Sequence, residues 1–236
     1  MLRSLGEVPN LDWGKHVIVV PIGSVESHGP LPPGLDCEVA TCFLRECECR
    51  QAVFLHPIPV STSWEHYPLE PTASVSVDTF ARYLREVAES LAKHFRAVVL
   101  APIHGGSKPV AYAVARELRA KGVRVALFDF HSCVERVLES RGIEWKPVHA
   151  DPIEASIALA CLGEAPGATP VSLENLVATL KALTSPTPVL EPWTWREVSE
   201  RYTATTIPGS PELGKEILSR CCEELCELIE KLLEVT

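Results

Sequence analysis

Two short segments of the 236-residue chain combine carboxylates with imidazoles. The loop from Gly23 to Asp36 carries Glu26, His28 and Asp36 among glycines and prolines, and the second segment is His104-Gly-Gly-Ser107. Two carboxylates and two imidazoles are ligand types that suit Zn²⁺, Mn²⁺ or Fe²⁺. One carboxylate can bridge two such ions, and the pair then activates water and polarises a carbonyl group. The alternative is that these are separate loop residues with capping and hydrogen-bonding roles.

The elements that must position these groups alternate between strands and helices. Apolar runs predict strands over 17–22, 52–55, 97–103 and 123–129, with helices between them. This alternation predicts an α/β fold with a mainly parallel sheet and helices on both faces. Ligands of such sheets lie beyond the carboxyl ends of the strands. Because both segments follow predicted strands that can be neighbours, we expect the four groups to meet.

Helix boundaries and the second half of the chain are predicted from caps and periodicity. A helix is predicted over 37–49 with Asp36 as its N-cap, and Asp78 is the expected cap of the next helix. Beyond residue 150, helices are expected near 152–161, 172–183 and 212–234, with an irregular stretch around Pro186, Pro188 and Pro192. We therefore expect one α/β domain over 1–236 with a helical C-terminal elaboration.

Nine cysteines are unusual in a chain without an apolar secretory segment at its start. None of them forms the paired Cys-x-x-Cys spacing of a zinc ribbon, so buried, hydrophobe-like thiols are the favoured interpretation. One or two disulfides are also compatible with the sequence. Asn, Gln and Met are scarce, which is typical of thermophilic proteins, and intracellular disulfides are known in hyperthermophiles.

Charge and hydropathy exclude two classes of partner. The net charge is −9, whereas a non-specific nucleic-acid binder is usually basic. No apolar run reaches the roughly 18 residues of a membrane span. We expect a cytoplasmic protein with neither nucleic acid nor membrane as its partner.

Five blocks of the sequence resemble motifs of the creatininase family, in the family's order. The loop 23–36 resembles Gly-Ser-x-Glu-x-His-Gly-Pro-His-Leu-Pro-x-x-Thr-Asp, and His104-Gly-Gly-Ser107 resembles Asn-Gly-His-Gly-Gly-Asn. His149-Ala-Asp-Pro-Ile-Glu-Ala-Ser156 resembles His-Ala-Gly-Glu-x-Glu-Thr-Ser. The segments 63–72 and 209–214 resemble the Glu-His…Pro-Gly-Thr loop and the closing Gly-x-Pro…Gly segment.

The resemblance implies a metal-dependent amidohydrolase with two divalent metal ions, in a homo-oligomer that is often a hexamer. By position, Glu26 and His104 would hold one ion, His28 the other, and Asp36 would bridge them.

Two further residues acquire roles by position. His149 matches a histidine that shuttles protons. Gly106 stands where creatininase has the glutamate that completes the second ion's shell, and Glu154 is the expected replacement ligand or base.

The sequence departs from the family pattern at positions that affect which substrate can be inferred. The first loop is one residue shorter than usual, and Pro102-Ile103 replaces the Asn-Gly before His104.

Candidate substrate-binding residues are Trp64, Glu65, His66, Gly105, Gly106 and Ser107. For Trp64 the alternative is loop packing. The turn after His104 could bind an anion such as a phosphate, or be a plain strand-to-helix turn.

The expected reaction is hydrolysis of a non-peptide amide C–N bond in a small molecule. The favoured substrate is a formamidopyrimidine ribonucleotide, as in archaeal relatives of riboflavin and deazaflavin biosynthesis. Creatinine hydrolysis to creatine, peptide cleavage, and metal or metabolite binding without catalysis are the alternatives.

Overall fold

The computed structural model describes residues 2–67, 69–143, 145, 149–182 and 205–234. Within these residues, five strands form a parallel sheet in the order β1-β3-β2-β4-β5. This result confirms the predicted α/β class and adds β1, which the sequence did not indicate. The strands are Arg3–Ser4 (β1), Val17–Ile22 (β2), Ala52–Phe54 (β3), Ala97–Pro102 (β4) and Val125–Leu127 (β5).

The two central strands lie side by side, as their sequences predict. All residues of β2 and β4 are buried, which matches their continuous apolar runs. They pair in register from Val17 opposite Ala97 to Ile22 opposite Pro102. The loops that follow the two strands therefore begin next to each other, and the backbone N–H of Ile103 donates to the carbonyl of Ile22 at 2.8 Å.

Helices cover both faces of this sheet. Alternate strand residues separate the core: Ile18 and Val98 pack against α2 and α3, whereas Val19 and Val99 pack against the helices of the opposite face. The first face carries Val77–Leu91 (α2) and Lys108–Ala120 (α3). The opposite face carries Leu35–Glu46 (α1), Phe130–Ser140 (α4), Pro152–Leu162 (α5) and Pro211–Glu234 (α7), and Leu173–Ala182 forms α6.

Close contact between α5 and α7 depends on small residues. A small parallel sheet of Ala168–Pro170 (β6) and Ile207–Gly209 (β7) leads into α7. A Cβ atom on Gly214 would lie 2.1 Å from the carbonyl oxygen of Ser156. The backbones of the two helices can approach this closely only because residue 214 has no side chain.

Helix starts differ from the predicted ones in two places. The first helix begins at Leu35, so Asp36 lies in its first turn and is not an N-cap. Ser76, not Asp78, caps α2 by accepting the N–H of Thr79. The predicted irregular stretch with Pro186, Pro188 and Pro192 lies outside the described residues.

The prediction that the cysteines are buried thiols is wrong for eight of the nine. Far-separated residues are brought within 4.9–5.7 Å (Cα–Cα), a distance that a disulfide can bridge, because α1, α4, α5 and α7 pack in one layer. Periodicity showed which helix faces are buried but not which faces meet. Cys37 is a free thiol. The pairs are Cys42–Cys161, Cys47–Cys222, Cys49–Cys226 and Cys133–Cys221.

No helix in the described ranges is both long enough and apolar enough to cross a bilayer.

Candidate metal centre

The predicted ligands meet at the carboxyl-terminal edge of the sheet. Glu26 and His28 lie on the loop after β2, Asp36 lies in the first turn of α1, and His104 directly follows β4. Glu154 lies in the first turn of α5. Four of these side chains are buried almost completely, and Glu154 is half-buried. The adjacency of β2 and β4 thus brings together groups that are far apart in sequence.

Asp36 lies between two imidazoles. Its Oδ2 is 3.4 Å from Nδ1 of His104, and its Oδ1 is 3.6 Å from Nε2 of His28. The hydroxyl of Ser24 donates to Oδ2 at 2.7 Å and fixes the carboxylate. On the other side of His104, Nδ1 is 3.2 Å from Oε1 of Glu26. A carboxylate whose two oxygens face two different imidazoles has the arrangement expected of a ligand that bridges two metal ions.

Three imidazoles of the site are each held by a backbone carbonyl through one ring nitrogen. Nδ1 of His28 lies 3.0 Å from the carbonyl oxygen of Glu26, and Nε2 of His104 lies 2.8 Å from the carbonyl oxygen of Thr62. Nε2 of His149 lies 2.5 Å from the carbonyl of Ser27. If those nitrogens carry the proton, the other nitrogen of each ring presents its lone pair to the cluster. Metal-binding histidines are commonly held in this way.

Unpaired buried atoms indicate that these residues fit a cation. In the described part of the chain, Oε2 of Glu26 and Nε2 of His28 are buried without a hydrogen-bond partner. Buried polar groups are rarely left so, and both atoms are good ligands for a divalent metal ion. In the described residues, three sets of three ligand atoms lie within 4.8 Å of one another: Glu26, Asp36 and His104; His28, His149 and Glu154; and Glu26, His66 and His149.

Opposite charges keep the cluster ionised. Burial alone would raise the pKa of Glu26, but His104 outweighs it and lowers that pKa to about 2. Burial would lower the pKa of His28, yet Asp36 and Glu154 raise it to about 9. The pKa of His104 is likewise raised well above its usual value by Glu26 and Asp36 despite its burial. Without a metal ion, imidazolium charges therefore balance the carboxylates.

His149 and Glu154 are two cluster residues whose pKa values favour the neutral form. Burial, together with His28 and His66, lowers the pKa of His149 to about 3, so this ring is neutral at pH 7. Its ring stacks on His66 with centroids 3.9 Å apart. Burial raises the pKa of Glu154 to about 8, with His28 opposing the rise. Nδ1 of His149 lies 4.0 Å from Oε1 of Glu154.

A cavity of about 460 Å³ opens beside these residues. Glu65, His66, Gly105 and Gly106 line it, and their role in substrate binding stays a prediction. Glu26, Asp36, His104, His149 and Glu154 also face the cavity.

Two candidate substrate-binding residues lie elsewhere. Ser107 is fully buried and donates its hydroxyl to the carbonyl of His104. Trp64 is 49% exposed, donates Nε1 to the carbonyl of Val75 and packs against Tyr67. Trp64 is not among the residues that line the cavity, and its contacts are those of the loop-packing alternative.

Among the cavity-wall residues that sequence reasoning missed are two aromatic residues and a histidine. Phe130 and His131 directly follow the predicted fourth strand, so the rule that placed His104 at the edge of the sheet could have found them. Trp145 also lines the cavity, and its Nε1 donates to Oδ2 of Asp151 at 2.6 Å. Asp151 accepts the N–H groups of Ile153 and Glu154 and so fixes the start of α5.

Comparison with known proteins agrees with this geometry. A family model described as "Creatininase: Creatinine amidohydrolase" matches residues 3–229. The mycofactocin precursor peptide peptidase of Mycobacterium ulcerans is 31% identical over 116 residues, which are 44% of this chain and 46% of that protein. Its counterpart in Mycobacterium tuberculosis H37Rv is 30% identical over 117 residues, 44% and 47% of the two chains. The match thus spans about half the length of these curated relatives.

Solved structures share the fold over nearly the whole chain. A structure of a single-residue mutant of creatininase, described as type II, has a TM-score of 0.70 at 18% identity and covers 99% of this chain and 100% of its own. One titled "Creatininase Mn" has a TM-score of 0.67 with the same identity and coverage. A protein from Bacteroides fragilis, titled a putative creatinine amidohydrolase, reaches 0.58 at 19% identity over 98% and 94% of the two chains.

Proposed function

This chain belongs to the creatininase family, and from that premise we propose that it is a metal-dependent amidohydrolase acting on an amide C–N bond of a small molecule. The observation that carries the proposal is the cluster of Glu26, His28, Asp36 and His104, with two unpaired ligand atoms, beside a cavity. A cavity of about 460 Å³ has the size of a small-molecule site.

The residues suggest how two ions would be held. Glu26 and His104 would bind one ion, His28 and Glu154 the other, and Asp36 would bridge them. Divalent ions such as Fe²⁺, Zn²⁺ or Mn²⁺ supply an activated water and polarise the scissile carbonyl when bound.

The chain's own residues orient the ligands and move protons. The carbonyl of Thr62 and the hydroxyl of Ser63 hold His104 through Nε2, and Ser24 holds Asp36. His149 lines the cavity with Nδ1 facing Glu26 and Glu154. Nδ1 is the ring nitrogen that would take up a proton and return it to the leaving nitrogen, as a general acid–base group does.

The proposed substrate is the formamide of a formamidopyrimidine ribonucleotide. Gly106 supports this proposal over creatinine, because creatininase has a glutamate at that position. The curated relatives favour a second candidate, cleavage of a peptide, since their names describe a peptide peptidase.

Substitution of Asp36 tests the metal centre. Asp36→Ala removes the carboxylate between the two imidazoles, so we expect loss of both ions and of hydrolysis. Wild-type protein supplied with Fe²⁺, Mn²⁺ or Zn²⁺ should retain about two equivalents by elemental analysis. Glu38→Ala is the matched control, because Glu38 lies in the same first turn but is exposed. Wild-type protein that retains less than one equivalent contradicts the dinuclear centre.

An assay of the metal-loaded protein tests the substrate. The formamidopyrimidine nucleotide, creatinine and a short peptide are compared under anaerobic conditions, and we expect release of formate from the nucleotide. Full metal occupancy without turnover of any of the three contradicts the proposed reaction and supports a binding role.

A further inference from the structure

Glu65 contributes a carboxylate to the cavity that the proposed metal centre does not use. It lines the cavity but belongs to none of the sets of potential metal ligands. Within the described ranges, its Oε2 is buried without a hydrogen-bond partner, and the side chain forms no ion pair. The side chain as a whole is half-buried, so the unpaired oxygen is its inner one.

The position of Glu65 is fixed by its loop. A Cβ atom on Gly106 would lie 3.1 Å from Oε2 of Glu65, so the carboxylate packs against the backbone of Gly106. Thr62 fastens the loop at this point, because its hydroxyl donates to the carbonyl of Gly106 at 3.0 Å. The N–H of Ser63 donates to the hydroxyl of Ser74 at 2.9 Å. The loop thus holds the unpaired oxygen in place before any ligand arrives.

No lysine or arginine in the described cavity wall is paired with this oxygen. A buried acceptor without a partner costs free energy, and a buried charged acceptor costs more. Lys108 lines the same cavity, but its Nζ is 2.8 Å from Oδ2 of Asp129. Glu135, which also lines the cavity, adds negative charge rather than a donor. Because no described side chain reaches Oε2 with a hydrogen bond, a donor group of a bound ligand can supply its partner.

We propose that Glu65 accepts a hydrogen bond from an amino or other N–H group of the substrate and thereby selects amides with such a group near the scissile bond. The inference rests on the proposed amidohydrolase function and narrows its substrate class. A carboxylate against Gly106 also disfavours a phosphate at the turn of Gly105 to Ser107, where the sequence suggested an anion. An aminopyrimidine ring presents suitable N–H donors.

Two ligands that differ only in one amino group test the inference. The probes are 4-amino-5-formamidopyrimidine and 5-formamidopyrimidine, whose binding to the metal-loaded protein is measured by calorimetry and whose hydrolysis is measured as kcat/KM. We expect wild-type protein to prefer the amino compound by about tenfold or more, because a charged acceptor discriminates strongly against a ligand without the donor. Glu65→Gln should lose part of this preference and Glu65→Met all of it.

The unfolding temperatures of the Glu65 variants distinguish a role of Glu65 in ligand recognition from a role in stabilising the fold. Both variants should unfold at the same temperature as wild type or higher, because they replace a carboxylate whose inner oxygen has no hydrogen-bond partner. A structural Glu65 would instead give lower unfolding temperatures. Glu70→Gln is the matched control, since Glu70 lies in the same loop but is exposed and does not line the cavity.

Each outcome decides one of the two proposals. Wild-type protein that binds both probes equally, or neither, overturns the inference, as does a preference that survives in Glu65→Met. A Glu65-dependent preference in binding without any hydrolysis supports the inference and contradicts the proposed amidohydrolase function.

Discussion

His149 differs from His28, one of the two imidazoles of the proposed ligand set, in its access to substrate. It lines the cavity, whereas His28, whose ring centroid is 4.4 Å away, does not. His149 therefore lies where a leaving nitrogen can reach it, as His66 and His104 also do. His149 also belongs to a set of three potential ligands, so its role in proton transfer stays a prediction.

We predict that His149→Ala retains both metal ions and loses turnover. Loss of a general acid–base group typically costs about 10² to 10⁴ in rate. Elemental analysis and kcat are measured on the same preparation, with His94→Ala, an exposed histidine, as the control. Loss of one ion would identify His149 as a ligand, and full activity would remove it from the reaction.

Metal binding should depend on pH because the ligands bind protons in the metal-free protein. The pKa of His28 is raised from 6.5 to about 9 by Asp36 and Glu154 against the effect of burial. The imidazolium therefore stabilises the metal-free fold fully below pH 6.5, and this stabilisation is lost as the pH rises through about 9. A metal ion must displace that proton, so its binding releases protons.

We predict that the increase in unfolding temperature caused by Mn²⁺ or Zn²⁺ grows as the pH rises from 6.5 to about 9. Thermal unfolding with and without metal at each pH measures this increase. His28→Ala lacks the titrating group and should show a smaller increase with a weaker dependence on pH. An increase that is independent of pH in wild type would contradict the charged state of His28.

Helices α5 and α7 pack too closely to accept an added side-chain atom where they contact each other. The hydroxyl of Ser156 on α5 accepts the N–H of Ser210 and donates to the carbonyl of Pro152. This places the carbonyl of Ser156 directly against Gly214. The start of α5, which carries Glu154, is therefore braced by the start of α7.

We predict that Gly214→Ala lowers the free energy of unfolding by several kcal/mol and weakens metal binding. Its Cβ would lie 2.1 Å from a backbone oxygen, so α5 must shift, and overpacking typically costs about 1–3 kcal/mol or more. Gly34→Ala is the control, because a Cβ there meets nothing within 4 Å. Denaturant unfolding and metal titration measure both effects, and a variant as stable as wild type would contradict the close packing.

Sequence periodicity predicted the elements that position the site better than their boundaries. Val17–Ile22 and the amphipathic α2 were found because a buried parallel strand and a one-sided helix each leave a distinct pattern. Asp36 was misplaced as a cap because the loop preceding it ends with Gly34, which itself occupies the cap position. The observed cap and the first-turn carboxylate are only two residues apart.

The metal centre was largely predictable, whereas the cavity wall was not. Glu26 and His104 follow strands whose adjacency is a property of the fold. Glu65 and Trp145 reach the cavity from loops, and no periodicity describes where a loop directs its side chains. The unpaired oxygen of Glu65 can be seen only once Gly106 is placed beside it.

At the scale of the whole molecule, four disulfides link the layer of helices that carries Asp36 and Glu154. They connect α1, α4, α5 and the segment after α1 to one another, mostly through α7. Intracellular proteins rich in disulfides are known from hyperthermophiles. The expectation of a cytoplasmic, thermophilic source stays a prediction.

Alkylation without reduction should label one cysteine, Cys37, and alkylation after reduction should label nine. Mass spectrometry of the denatured protein counts the labels. Three or more labels before reduction would contradict the observed pairing.

The Cys42–Cys161 disulfide should contribute to metal affinity as well as to stability, because it ties the two helices that carry Asp36 and Glu154. We predict that Cys42→Ser/Cys161→Ser lowers the unfolding temperature and weakens metal binding. The matched control is Cys49→Ser/Cys226→Ser, which removes a link of similar kind that does not involve α5. Removing a disulfide of this loop length typically costs about 2–5 kcal/mol, so both double variants should lose stability. Only the first should lose metal affinity, and equal affinities in the two variants would show that the ligand-bearing helices hold their positions without this link.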